Sequence, residues 1–212
     1  EGDEKLDNNR EAEESFEHAL TLNEDIQEGL IGMAIIKDKQ GYTQESVPFV
    51  EKANRLYPKS SSCWYIAAEV YNKLGLYDEA YLAYAKADEF NTDNTVQIIL
   101  DFSNFIAENL SILEAADYLE GHDNIKSQYR LVAYYHLLGK HKKALTQLEN
   151  CLNIDVELLS ELLEYQEELA EIRNLIIELN SCICLTPIEK EFSISIIRFA
   201  VFFNRVFYSR RL

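Results

Sequence analysis

The sequence predicts an all-α fold, a solenoid of antiparallel helix pairs, on two observations. The first is that chain breakers are scarce: the 212 residues include only 7 glycines and 3 prolines, which favours long helices joined by short turns. The second is that small and large side chains recur in a fixed order with a period of about 34 residues. Because 47% of the residues are hydrophobic, such an array can bury a large core.

The clearest repeat unit spans residues 61–94. Two antiparallel helices pack closely only where small side chains lie at the crossing points, and large side chains then fill the gaps on either side. In this unit small residues occupy positions 8, 20 and 27, and large residues occupy positions 4 and 24. Gly75, at position 15, lies between the helices, where glycine adopts a left-handed conformation without strain. The residues at the five packing positions are Ala68, Ala80, Ala87, Trp64 and Tyr84.

The same register extends to both sides of this unit. In the shorter unit that follows, Phe102 occupies position 8, where a small residue is expected. We expect the chain to begin inside the first helix of a truncated unit, as a piece of a longer protein. The predicted array consists of a partial unit at 1–26, full units at 27–60 and 61–94, a variant unit at 95–124 and a last unit at 125–158.

This pattern resembles the tetratricopeptide repeat (TPR) family over about residues 1–158. The resemblance implies a right-handed superhelical solenoid. It also implies a non-enzymatic scaffold that binds a peptide or helix of a partner protein in a concave groove lined by the first helix of each unit. Interhelix packing is an equally open role for the isoleucines among the groove positions. The residues at those positions are Ile31, Ile35, Tyr65, Glu69, Ile99, Ser103, Lys126, Tyr129 and Arg130.

The chemistry of these positions favours an apolar or basic partner segment, because aromatic and aliphatic side chains are flanked by acidic ones. One TPR subfamily instead binds a carboxylate through a clamp of lysine, arginine and asparagine. Lys126 and Arg130 match the third helix of that clamp, but Tyr65, Glu69 and Leu100 stand at its other positions. A full clamp is therefore not predicted, and a local anion contact at Lys126 and Arg130 remains a hypothesis.

The pattern changes after residue 158. An apolar stripe from Leu158 to Leu179, spaced by four and three residues, predicts a helix that caps the last unit at 159–180, since a terminal repeat otherwise exposes its apolar side. A coiled-coil seam is the alternative. Segment 181–212 is apolar and basic, with five basic and two acidic residues. It fits an interfacial helix, a strand-prone extension or sequence unrelated to the domain, and membrane contact is expected only through it.

Composition narrows the classes of function. The net charge of −17 argues against a nucleic-acid partner, because phosphate binding needs a basic face. No glycine-rich phosphate loop, CxxC pair or catalytic constellation occurs, so we predict no enzyme activity, cofactor or metal. The serines at 60–62 fit a helix N-cap rather than a nucleophile. Four scattered cysteines favour a reducing compartment such as the cytoplasm. The alternative function is a sensory or regulatory segment of a larger signalling, transcriptional or envelope-assembly protein.

Overall fold

The computed structural model describes residues 2–154, without the side chains of 2–8, 145, 149, 152 and 153. The predicted capping helix at 159–180 and the segment 181–212 lie outside these residues. Within them the chain is helical and contains no strand, which confirms the predicted all-α class. The nine helices of the described part are α1 Gly2–Leu22, α2 Gln27–Lys39, α3 Thr43–Leu56, α4 Ser61–Lys73, α5 Tyr77–Glu89, α6 Val96–Asn109, α7 Ile112–Glu120, α8 Ile125–Leu137 and α9 His141–Ile154.

Three hairpins share one turn geometry. Gly41, Gly75 and Gly139 follow the first helices α2, α4 and α8 with φ of 86°, 72° and 68°. In the second hairpin the Gly75 N–H donates to the Asn72 carbonyl at 3.0 Å, and the next N–H, of Leu76, donates to the Tyr71 carbonyl at 2.9 Å. The other two hairpins repeat this pair of bonds. It is the Schellman arrangement, in which a left-handed residue lets the chain satisfy the last carbonyls of a helix.

The helix hairpins pack through the small residues of the repeat. Position 8 of the units at 27–60 and 61–94 is alanine, and these alanines are fully buried between neighbouring helices. Position 20 of the first of these units is Ser46, which is equally buried and donates its hydroxyl to the Ala34 carbonyl at 2.8 Å. The Ser60 side chain accepts the Cys63 N–H, which confirms the predicted N-cap of α4. Small size and satisfied polarity therefore explain the close approach of the helices.

The N-terminal helix differs from the prediction. We expected the chain to begin in the first helix of a truncated unit, but α1 is a single helix of 21 residues. It has no left-handed turn, because no glycine stands at the position where the other hairpins turn. Its C-terminal half packs on α2, where the backbone of Gly32 lies directly against the Phe16 ring.

The variant unit departs from the repeat at α6. Phe102, at the position where a small residue is expected, is 4% exposed. Its ring stacks on Tyr84 with centroids 5.5 Å apart and an angle of 11°, and it meets Tyr81 edge-on at 5.4 Å. Counted from the start of α6 at Val96, the small residue of position 8 is Ser103, which is fully buried, and Phe102 occupies position 7. The chain divides into two compact units, Glu1–Ser111 and Ile112–Leu212, between α6 and α7.

Candidate functional site

The unit Glu1–Ser111 presents three first helices, α2, α4 and α6. We call the side chains that these helices present to solvent the first-helix face. Ile31 and Ile35 on α2 and Tyr65 and Glu69 on α4 are half-buried, so part of each side chain remains accessible there. Ile31 also packs on the core formed by Leu30, Ala53 and Cys63. Interhelix packing, the open alternative for the isoleucines, therefore describes part of its role.

Two of the predicted groove residues on α6 are interior. Ile99 is 1% exposed, and Ser103 is fully buried with its hydroxyl bonded to the Leu100 carbonyl at 2.7 Å. The physical reason is a register offset of one residue. The helix α6 begins at Val96, whereas the predicted unit begins at 95, so Ile99 and Ser103 occupy the interior packing positions 4 and 8 of the repeat. We therefore remove both residues from the candidate site.

The side of α6 that does reach the first-helix face carries polar residues that the sequence analysis missed. They lie at spacings of four, three and four residues, so they form one stripe on a helix. A polar stripe along an otherwise apolar helix could have identified these residues, but the predicted repeat register placed the groove at other positions. These residues are Gln97, Asp101, Asn104 and Glu108.

In the unit Ile112–Leu212 the predicted residues do not form an open surface either. Lys126 is exposed, but Tyr129 is fully buried and Arg130 is 4% exposed. The reason is that α8 is enclosed along most of its length, with every residue from Tyr129 to Tyr135 buried. A solvent-facing anion contact that needs both Lys126 and Arg130 is therefore contradicted, because the guanidinium group is not available at the surface.

A pocket opens on the first-helix face between α4, α5 and α6. Its volume is about 190 Å³. Three of its lining residues are carboxylates and two are carboxamides, and aromatic rings form the rest of the wall. We call it the acidic pocket; it is lined by Glu69, Asn72, Tyr84, Asp101, Asn104, Phe105 and Glu108.

Hydrogen bonds from neutral groups hold two of the carboxylates in place. The Tyr65 hydroxyl donates to Asp101 Oδ2 at 2.6 Å, and Gln97 Nε2 donates to both oxygens of the same carboxylate at 2.9 Å. The Tyr84 hydroxyl donates to Glu69 Oε1. The two tyrosine hydroxyls are therefore already engaged as donors, and the carboxylates keep further acceptor capacity.

Burial shifts the protonation equilibria of this network. It raises the pKa of Glu69, an effect that the hydrogen bond from Tyr84 opposes and the negative charge of Asp101 reinforces. Burial, with the bond to Asp101, also raises the pKa of the Tyr65 hydroxyl. The Tyr84 pKa rises for the same reasons, with Glu69 as its partner. Both tyrosines are therefore protonated donors at neutral pH, and not general bases.

No cation of the described chain forms an ion pair with the carboxylates of the pocket. Glu69, Asp101 and Glu108 form no salt bridge within residues 2–154. Lys73, the cation that acts on Glu69 through space, is bonded to Asp38 on α2. Lys37 is likewise paired with Glu13, at 2.6 Å. The acidic pocket therefore carries excess negative charge, which Lys73 offsets only in part.

Two features are absent from the described residues, a metal-binding cluster and a membrane-spanning helix. No group of three or more His, Cys, Asp and Glu side chains among them could hold a metal ion. In the same part of the chain, none of the helices combines the length and apolar character needed to cross a membrane.

Comparison with known proteins first identifies a local match. Residues 61–94 match the family model of the tetratricopeptide repeat. This span coincides with the unit that the sequence predicts most clearly. No curated protein sequence matches the chain.

Several solved structures are similar to this chain at low sequence identity. YrrB, a TPR protein with an unusual peptide-binding site, is 15% identical and matches with a TM-score of 0.57 over 94% of this chain and 100% of its own. The C-terminal part of a TPR protein from Cytophaga hutchinsonii is 15% identical, with a TM-score of 0.63 over 93% of this chain and 76% of its own. A chain of Naa15/Naa10 bound to HypK-THB is 21% identical, with a TM-score of 0.54 over 89% of this chain and 32% of its own. At these identities the likeness establishes the fold.

Proposed function

This chain has the fold of the tetratricopeptide repeat proteins, and from that premise we propose that it is a non-enzymatic scaffold that binds a peptide or helix of a partner protein. The observation that carries the proposal is the first-helix face of Glu1–Ser111, where partly accessible aromatic, aliphatic and acidic side chains surround a pocket. Convergent polar groups in a concavity are typical of binding sites. No arrangement of nucleophile, base and oxyanion donors accompanies them in the described residues.

The chemistry of this face favours an apolar or basic partner segment. Ile31, Ile35 and Tyr65 supply apolar area, and Glu69 and Asp101 supply negative charge beside it. Similar folds support a peptide or protein as the partner: YrrB has a peptide-binding site, and the Naa15/Naa10 structure contains HypK. An extended segment or a helix with apolar and basic side chains would complement both features.

A peptide selection tests this proposal. A random peptide library displayed on phage is selected on the full chain, and the apparent affinity of the selected peptides is compared between the parent and an Ile35→Ser, Tyr65→Ser double variant. We expect the double variant to lose about tenfold or more in affinity, since apolar anchors at the centre of an interface carry most of its energy.

The matched control is Leu82→Ser on the second helix α5. Leu82 is 65% exposed, so its replacement removes apolar area from a different face of the same unit. Circular dichroism establishes that all variants remain helical. The proposal fails if no peptide is enriched, or if Leu82→Ser reduces the affinity as much as the double variant does.

A further inference from the structure

We propose that the acidic pocket receives the guanidinium group of one arginine side chain of the partner segment, and that this arginine anchors the partner on the first-helix face. The inference rests on the proposed function and deepens it, because it names the side chain that the site recognises and the residues that recognise it. The residues are those of α4, α5 and α6 that surround the cavity.

Hydrogen-bonding capacity is the first ground. The pocket offers the carboxylates of Glu69, Asp101 and Glu108 as acceptors, and the carboxamide of Asn72 can turn its oxygen toward a donor. The hydroxyls that could donate into it, from Tyr65 and Tyr84, are already bonded to carboxylates. A group that only donates complements such a lining. Guanidinium provides five N–H donors and no acceptor.

An excess of negative charge without a direct ion pair is the second ground. Glu69 lies in a partly desolvated position close to Asp101, where two ionised carboxylates repel each other. The one lysine that acts on it through space is held by Asp38, and no salt bridge within the described residues reaches Glu108. An arriving cation would therefore relieve repulsion and gain charge-assisted hydrogen bonds at the same time.

The shape of the pocket is the third ground. Its volume of about 190 Å³ is below the roughly 300 Å³ at which sites for drug-sized molecules begin, so it suits one side chain better than a cofactor. The rings of Tyr84 and Phe105 are almost fully buried, so the accessible lining is polar. A planar guanidinium spreads its N–H donors over several carboxylates, whereas an ammonium group is a point charge.

A metal ion is a poorer occupant for the same pocket. The carboxylates belong to two helices and surround a cavity, and no group of three or more ligands in the described chain converges closely enough to hold a metal. Carboxylates that are spread around a cavity match a branched organic cation better than a point charge, because its donors are spread as well.

The test uses two synthetic peptide libraries that are identical except at the central residue, which is arginine in one and citrulline in the other. Citrulline keeps the planar shape of arginine and removes the charge. Binding of each pooled library to the full chain is measured by biolayer interferometry. We expect the arginine library to bind about tenfold tighter or more, as is typical when a charge partner of a desolvated pair is removed.

The matched variants are a Glu69→Gln, Asp101→Asn pair in the pocket and Glu79→Gln on α5. The amide oxygens still accept the hydroxyls of Tyr65 and Tyr84, so the fold is expected to persist, and circular dichroism establishes that it does. Glu79 is an exposed carboxylate that does not line the pocket. We expect the pocket pair to remove most of the preference for arginine, and Glu79→Gln to preserve it.

Equal affinity for the two libraries overturns this inference, and so does a loss of preference in Glu79→Gln as large as in the pocket pair. The result also separates the two proposals. If both libraries bind equally and the Ile35→Ser, Tyr65→Ser variant loses both, the scaffold proposal stands and the arginine pocket falls. If neither library binds the parent chain, both proposals fall.

Discussion

Burial and a hydrogen bond have opposite effects on the pKa of Glu69. Its carboxylate accepts the Tyr84 hydroxyl, which favours ionisation, but burial and the nearby Asp101 raise its pKa above the ordinary value. A group whose folded-state pKa is raised binds protons more tightly in the folded chain than in the unfolded chain. Ionised Glu69 therefore lowers the free energy of unfolding as the pH rises from the ordinary glutamate pKa through the raised one.

Replacing Glu69 with glutamine removes this pH-dependent decrease in the free energy of unfolding. We expect Glu69→Gln to increase the free energy of unfolding at pH 7 by less than about 1 kcal/mol, an upper limit that allows for solvent screening of a partly exposed group. The gain should vanish below the ordinary glutamate pKa, where both chains are neutral at this position. Urea unfolding at pH 7 and pH 4 measures it, with Glu79→Gln as the control. Destabilisation at pH 7 would show that ionised Glu69 is favourable in the folded state.

Substitutions of Gly75 test the conformation of the hairpin turn. Its φ of 72° is in the left-handed region, and a Cβ added there would meet no atom within 4 Å. The cost of Gly75→Ala therefore comes from the backbone alone, and we expect the free energy of unfolding to fall by about 1–2 kcal/mol. Gly75→Asn should cost less, because asparagine tolerates this conformation. Urea unfolding distinguishes the variants. A more stable alanine variant would mean that the turn can leave the left-handed conformation.

At the scale of elements, α6 is the helix whose sequence and structure disagree. The predicted 34-residue period places Phe102 at position 8, where the family has a small residue, so a consensus argument would expect alanine to improve the packing. In the structure Phe102 is buried and stacks on Tyr84 and Tyr81. The large residue is therefore part of the core of this unit, and the one-residue offset of α6 explains why its accessible side differs from the predicted one.

The substitution Phe102→Ala distinguishes the packing seen in the structure from the packing that the consensus argument implies. We expect the free energy of unfolding to fall by about 3–5 kcal/mol, because the substitution removes a buried aromatic ring and leaves a cavity. Leu82→Ala, at an exposed position of α5, should change it by less than about 0.5 kcal/mol. Urea denaturation monitored by circular dichroism is the measurement. An alanine variant as stable as the parent would support the consensus argument that a small residue packs well at this position.

The helices that the sequence predicted best are those whose packing depends on local spacing. The alanines of α4 and α5 and the turn at Gly75 could be placed because residue size and backbone conformation act at fixed positions of the repeat. The acidic pocket could not, because α6 begins one residue later than the fixed 34-residue period predicts, which changes the residues that face the groove. The burial of Arg130 could not be predicted either, because it depends on the residues that pack around α8.

At the scale of the whole molecule, charge and fold act together. The net charge of −17 attracts cationic segments over a distance, whereas the acidic pocket selects among them at contact range. The described chain forms two compact units, and each residue that carries the proposals belongs to the first of them. We therefore expect partners to bind to Glu1–Ser111.

The central claim is that partners contact the first-helix face of this unit, and photo-crosslinking tests it most directly. A photoreactive amino acid replaces either Gln97, at the edge of the acidic pocket on α6, or Leu82, on the second helix α5. A selected arginine-containing peptide is then irradiated with each full-length variant. We predict a covalent adduct with the variant at position 97 and none at position 82. An adduct at position 82 and none at position 97 would contradict the account.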